Sequence, residues 1–337
     1  IPPTAQNVEM SWEQPAIRAM LERFGSFCRY LHFDKRGTGC SDRRSRIADI
    51  DERVDDLRAV MDHAEVDHAY LFGNSEGGPM TLLFAATYPD RVDGLILSGT
   101  GASLMPPDMT EEDLAEQREL IARYAARWGT EDSPVALGMA PTLSAQDPSF
   151  PAWHRRYERF AASQDSLIDV LELSLQVDLR ELAPTIDIPT LILHRTHDRV
   201  VPVERARELA ALLPNARLVE QPGEDHFSYS GDVDGWMDEF ERFVTGEVLS
   251  RPVGWRRPSV RIRTFGGFSV EVDGVEVPLA AWGSRLARQL CKRLVAARGW
   301  PVTRDELFEL LWPDEIDRRK LGARLSVQLS TVRRILH

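Results

Sequence analysis

The segment Gly73-Asn74-Ser75-Glu76-Gly77 sets a serine hydroxyl between two residues that have no side chain. A hydroxyl attacks a carbonyl only when it is lifted clear of its own backbone, and a sharp strand-to-helix turn does this where the flanking positions are nearly bare. The apolar run Ala69-Tyr70-Leu71-Phe72 reads as the strand and Glu76 to Tyr88 as the helix, which makes a common pentapeptide a specific sign of a nucleophile elbow. Such a serine needs a base, and the base an orienting acid, in the chain order serine, acid, histidine. Asp198 follows the strand-like Thr190-Leu191-Ile192-Leu193-His194 in a loop closed by Pro202, and His226 follows Ala216-Arg217-Leu218-Val219-Glu220 and the turn Pro222-Gly223-Glu224-Asp225. Each leaves a strand at its carboxyl end, where reacting groups gather on an open parallel sheet. The chemistry implied is attack on an acyl carbon assisted by a general base.

Competing assignments are weaker. Asp187 precedes its strand and belongs to the opposite sheet edge. His194, His197 and Asp198 are close in sequence but lack a distant fourth ligand, so no metal and no cofactor is expected. His32, His63, His68 and His154 read as surface groups or satisfied partners. Gly37-Thr38-Gly39 lacks both dinucleotide-loop spacing and a P-loop lysine, and reads as a tight turn.

With the elbow, the acid and the histidine in place, the chain resembles the α/β-hydrolases, and within them a bacterial branch carrying Asp34-Lys35-Arg36-Gly37-Thr38-Gly39-Cys40-Ser41-Asp42 after its fourth strand. The resemblance covers about residues 1–247 and implies an α/β fold. It gives Ser75 the nucleophilic role, His226 the base and Asp198 the orienting acid, with an oxyanion held by the backbone N–H groups of Glu76 and Thr4. One departure stands in the loop Ile1-Pro2-Pro3-Thr4: the family usually has glycine where Pro3 lies, and proline fixes its own φ and has no N–H. The first residue is Ile1, at this loop, so a fragment lacking the first strands is expected. A long stretch between Leu95-Ile96-Leu97 and Thr190, about residues 103–185, is expected to form a helical cap. Within it, Thr110 opens a helix that Gly129 stops, and further helices cover Trp153 to Ala162 and Leu167 to Leu175.

Composition bounds the rest. The 337 residues are 43% hydrophobic with no long uninterrupted apolar run, consistent with about two domains and no membrane partner. Three cysteines, Cys28, Cys40 and Cys291, form an odd count with no repeated spacing, which argues against a disulfide framework, and a cytoplasmic location is expected. The net charge of −12 hides a split: residues 1–250 hold 24 Lys and Arg against 44 Asp and Glu, whereas residues 251–337 hold 17 against 9. A basic domain beside an acidic one suggests a nucleic-acid partner.

Pro252, Gly254 and Pro258 mark residues 248–258 as a linker. Beyond it come strand-like Val260 to Phe265 and Phe268 to Val272, an Asp273-Gly274 hairpin turn, and Val275-Glu276-Val277. Three helices follow: Ser284 to Arg298, ended by Gly299; one opened by Thr303-Arg304-Asp305-Glu306; and one from about Lys320 to Leu336. In the last, Leu325, Leu329, Val332 and Leu336 form a buried stripe. The opposite face is expected to present Arg324, Gln328, Thr331, Arg333 and Arg334 to base edges and phosphates of double-stranded DNA. Residues 259–337 resemble the winged helix-turn-helix domain of response regulators and antibiotic-regulatory activators, with the wing expected after His337 and weak DNA binding expected without it. Two functions fit the whole chain: a serine hydrolase acting on an ester or related acyl substrate with a regulatory DNA-binding appendage, or a regulator whose hydrolase fold senses a small molecule. Neither substrate identity nor oligomeric state is indicated.

Overall fold

A computed structural model describes all residues except 43–47, 104, 107–108, 251–259, 299–300, 314, 316 and 337. The linker residues 251–258, the stop at Gly299 and the end at His337 therefore lie outside the described residues. The chain divides into two compact units, Ile1–Trp255 and Arg256–His337.

The first unit is built on four parallel strands in the order β1 (Ala69–Asn74), β2 (Val92–Ser98), β3 (Thr190–Arg195) and β4 (Ala216–Gln221). Ile1 lies beside β1, its carbonyl accepting from Asn74 N–H at 3.4 Å. Strand periodicity sends alternate side chains to opposite faces. Leu95, Leu97 and Ile192 pack with α3 (Ile50–His63), α4 (Gly77–Thr87) and α10 (Val203–Leu212) on one face. Ile96, Leu191 and Leu193 pack with α2 (Pro15–Phe27) and α11 (Val233–Thr245) on the other. The helices on the two faces thus fix where the strand ends stand.

Between β2 and β3 the chain leaves the sheet through a narrow neck, where Ser103 bridges Asp178 and Leu179 N–H donates to Ala102 O at 3.0 Å. The excursion holds α5 (Glu111–Ala126), α6 (Val135–Met139), α7 (Pro141–Gln146), α8 (Phe150–Ala161) and α9 (Gln164–Gln176). Thr110 caps α5 in a reciprocal capping box with Asp113, as its sequence implies. The short α6 and α7 escape sequence reading because neither is long enough to show a period. A four-residue helix α1 (Val8–Ser11) precedes α2.

In the second unit, β5 (Val260–Arg263), β6 (Ser269–Val272) and β7 (Val275–Glu276) form an antiparallel sheet. The hairpin turn has Asp273 at φ 51° and Gly274 at φ 80°, the paired left-handed conformation that Asp-Gly favours. Helices α12 (Arg285–Ala296), α13 (Arg304–Leu311) and α14 (Arg318–Leu336) complete the unit. Trp282, Leu290, Leu307, Leu311, Leu325 and Val332 form its core.

The first unit's aromatic seam centres on Phe24, which is fully buried, stacks on Tyr30 at 4.5 Å and meets Phe240 edge-on at 4.8 Å. Truncating a buried phenylalanine removes both transfer energy and packing. Phe24→Ala is expected to lower unfolding stability by about 3–5 kcal/mol, read from the urea transition of the near-ultraviolet circular dichroism signal; a loss below about 1 kcal/mol would contradict this account of the seam.

Candidate active site

The elbow begins where β1 ends. Ser75 has φ 53°, a left-handed conformation that a residue with a Cβ adopts only at a cost. Its N–H donates to Ser98 O at 2.8 Å and its carbonyl accepts from Gly78 N–H at 2.9 Å, so both neighbouring elements hold the strained residue. The two glycines are required by close approach. A Cβ on Gly77 would lie 2.5 Å from Pro2 O and 2.7 Å from Ile1 O, and one on Gly73 would meet Thr81 Oγ1.

The loops after β3 and β4 bring the expected partners to this serine. His226 Nε2 lies 2.9 Å from Ser75 Oγ, and His226 Nδ1 lies 2.7 Å from Asp198 Oδ2. Asp198 Oδ1 accepts from the N–H groups of Val200 at 2.8 Å and Val201 at 3.1 Å, which fixes the carboxylate. Burial alone would raise the Asp198 pKa, but the hydrogen bond and charge of His226 and the two loop amides hold it below the usual carboxylate value. Gly99, at φ 58°, lets the imidazole pass close, since a Cβ there would stand 3.0 Å from His226 Cε1. Asp187 is exposed ahead of β3, away from this cluster.

Behind Asp198 sits buried His194, whose Nε2 lies 2.8 Å from Val201 O and 3.8 Å from Asp198 Oδ2. Burial lowers its pKa, so it contributes a dipole and not a second charge. Among the described residues no three His, Cys, Asp or Glu side chains converge as metal ligands.

Two residues at the elbow escape the motif. The Glu76 carboxylate is buried between Lys35 Nζ, with which it forms an ion pair, and Arg53 Nη1 at 2.6 Å. Arg53 Nε donates to Ala48 O at 3.0 Å. Lys35 lies in the Asp34–Asp42 segment, where Asp34 accepts from Val8 N–H at 3.0 Å and Cys40 N–H at 2.8 Å around the tight turn expected of Gly37-Thr38-Gly39. There was little signal in the sequence, since Arg53 lies in the charged run Asp51-Glu52-Arg53-Val54-Asp55-Asp56 and a carboxylate two cations share is invisible to spacing. Thr4 and Glu76 line one cavity with Ser75, and neither backbone N–H has an acceptor among the described residues.

That cavity is about 540 Å³ and is walled by the cap residues Leu120, Ile121, Tyr124 and Trp128 as well as by Met20 and Phe33. The cap also holds the base: His226 N–H and Phe227 N–H both donate to Met139 O, at 2.8 and 3.0 Å. Next to them buried Asp225 accepts from Thr142 N–H at 3.0 Å, Thr142 Oγ1 at 2.6 Å and Ser230 Oγ at 2.6 Å.

In the second unit, Arg333 and Arg334 are exposed on α14 as expected. Arg324 is half-exposed but stands over the Trp312 ring at 5.8 Å and lies 3.4 Å from Glu315. Thr331 Oγ1 donates to its own helix at Val327 O. Gln328 corrects the sequence reading: its Oε1 accepts from Ser284 Oγ at 2.6 Å, so the amide is turned to the start of α12 and not outward. The outward stripe instead includes Val327 and Ser330 between Lys320 and Arg334.

A family profile described as alpha/beta hydrolase fold matches residues 7–232. The AB hydrolase superfamily protein YisY of Bacillus subtilis (strain 168) is 28% identical over 60% of this chain and 75% of its own length. The bifunctional esterase/perhydrolase DCH of Acinetobacter calcoaceticus is 27% identical over 64% of this chain and 79% of its own. Among solved structures, the enol-lactonase from Burkholderia xenovorans LB400 aligns with a TM-score of 0.58 at 25% identity, covering 71% of this chain and 87% of that one.

Burial pulls the Lys35 ammonium down to about 8, against the opposing attraction of Glu76. Below that pH the Lys35–Glu76–Arg53 cluster carries one net positive charge beside Ser75, and above it the lysine proton is lost and the cluster is neutral. Reaction at Ser75 is expected to slow as pH rises through about 8. In Lys35→Arg, which stays protonated, this limb should move up by more than about one unit; identical limbs in the two proteins would remove Lys35 from the account.

Proposed function

The chain belongs to the alpha/beta hydrolase family and is a hydrolase, and from that premise we propose that it cleaves an ester or related acyl bond through an acyl-enzyme on Ser75. The single observation that carries this reading is the unbroken line Ser75 Oγ, His226 Nε2, His226 Nδ1, Asp198 Oδ2, opening on the cavity. In the proposed sequence Ser75 Oγ bonds to the acyl carbon while His226 Nε2 takes its proton. Asp198 holds the Nδ1–H tautomer and supports the imidazolium. The carbonyl oxygen becomes an oxyanion that the N–H groups of Glu76 and Thr4 accommodate, and the start of α4 favours negative charge there. Collapse expels the alcohol, which receives the proton from His226. Water, deprotonated by the same nitrogen, then releases the acid and restores Ser75. The esterase and lactonase among similar proteins support an oxygen ester as the bond cleaved.

A fluorophosphonate probe should label Ser75 in the full chain and leave Ser75→Ala unlabelled, while Asp198→Asn should lower kcat by about 10⁴-fold through loss of the correct tautomer. An unlabelled parent protein with an intact fold would reject the acyl-enzyme.

For the remainder we propose residues 1–247 as the hydrolase domain, with its cap at about 103–185, and residues 259–337 as a winged helix-turn-helix that binds duplex DNA. The basic exposed residues of α14 and the sheet-then-three-helices order favour this. Such a partner places the chain in the cytoplasm. The alternative output is sensing: a cavity ligand would change DNA affinity with little turnover, a reading favoured by Pro3, which cannot donate to an oxyanion. Affinity of the whole protein for duplex DNA should fall steeply between 50 and 200 mM salt, by at least about tenfold; a flat salt response would discard the DNA role.

A further inference from the structure

The Ser75 line occupies one part of a cavity that is otherwise largely apolar. Besides the hydroxyls of Tyr124 and Tyr157 and the indole of Trp128, the cap brings one imidazole to that wall. His154, on α8, is nearly fully buried and lines the cavity, although its sequence context suggested only a satisfied partner. One of its nitrogens is indeed satisfied. Glu158, one helical turn further on and completely buried, lies 3.0 Å from His154 Nδ1 and accepts from Gly129 N–H at 2.6 Å and Ser133 Oγ at 2.7 Å. A carboxylate oxygen facing a ring nitrogen at 3.0 Å accepts, so we assign the hydrogen to His154 Nδ1 and with it the tautomer.

The other nitrogen is left over. His154 Nε2 has no partner among the described residues, and it is not one of the polar atoms sealed away from solvent. A neutral imidazole with its hydrogen on Nδ1 offers a lone pair at Nε2, which accepts from an O–H or N–H group. Phe227 sets the distance to the reacting centre: its ring stacks on His154 at 5.5 Å between centroids and lies 6.2 Å from the His226 ring. The two imidazoles therefore flank a single phenyl ring, one addressing the serine and the other a more distant part of whatever fills the cavity.

We propose that His154 determines specificity by accepting a hydrogen bond from a hydroxyl on the acyl chain, several bonds from the scissile carbonyl, so that the preferred substrates are esters of medium-chain hydroxy acids. The substrate class rests on the ester-hydrolase reading, whereas the binding contact does not. A buried acceptor left without a partner penalises an otherwise identical alkyl chain, which is how a polar site discriminates more sharply than an apolar one. Glu158 acts through His154 as a positioning residue.

The test uses the full chain carrying Ser75→Ala, so that no turnover intervenes. Titration calorimetry compares methyl octanoate with methyl octanoates bearing one hydroxyl at carbon 4, 6 or 8. At least one hydroxy ester is expected to bind about tenfold more tightly than the plain ester and to shift the ¹⁵Nε2 resonance of His154. In Ser75→Ala/His154→Phe the ratio of hydroxy-ester to plain-ester affinity should fall to about one. Equal binding of all four esters, or a preference that survives His154→Phe, would overturn the proposal. The comparison of esters in the parent cap and the resonance shift need no change at His154, so a misfolded His154→Phe protein leaves the proposal open to refutation. Failure of fluorophosphonate labelling would instead strike the hydrolase reading and leave these binding results interpretable.

Discussion

A serine held at φ 53° is the constraint around which the first unit is arranged. A left-handed residue with a Cβ relaxes unless its surroundings over-determine it. Here the β2 end takes its N–H and the first turn of α4 donates to its carbonyl, so the turn cannot open without breaking both contacts. The parallel sheet then does the rest of the positioning. Because β1, β2, β3 and β4 are all parallel, each paired with its neighbour in that order, the loops that follow β1, β3 and β4 emerge at one edge, and Asp198 and His226 arrive beside Ser75.

The charged cluster beneath the elbow follows from the same constraint. Moving Glu76, Lys35 and Arg53 out of water is costly, and apolar residues would fill the space more cheaply. What they provide is direction. Two cations hold one carboxylate within the protein, and Glu76 directly follows Ser75, its backbone N–H without an acceptor among the described residues. The cluster is also unbalanced, two positive charges against one negative, close to where an oxyanion would form.

Much of this arrangement was legible in the chain. Ser75, Asp198 and His226 were readable because strand and turn signals locate a residue along a sheet edge, and the four strands were readable because their apolar runs are short and bounded. Lys35 and Arg53 were not, since nothing in sequence relates a lysine in a turn, an arginine on α3 and a glutamate at an elbow. Gln328 was misread for a related reason. Helical periodicity assigned it to the face opposite Leu325 and Val332, but a residue at the margin of a stripe takes whichever partner is near, and Ser284 at the start of α12 was near. His154 was half-read: the expectation of a satisfied histidine holds for Nδ1 and fails for Nε2, a distinction that residue type alone does not carry.

The cap cannot be treated as a passive cover. A base that relays a proton must keep its ring aligned within a few tenths of an ångström of both neighbours. His226 sits on a loop whose main chain, at both His226 and Phe227, donates to Met139 of the cap, and Asp225 ties the same loop to Thr142. The segment that shapes the substrate cavity thus also sets the height of the base above the serine. Displacing α6 and α7 would take the Met139 acceptor away from the His226 and Phe227 N–H groups while leaving Asp198 anchored by the Val200 and Val201 amides. Cavity occupancy and base alignment are therefore coupled through Met139, which lines the cavity and accepts both hydrogen bonds from the His226 loop.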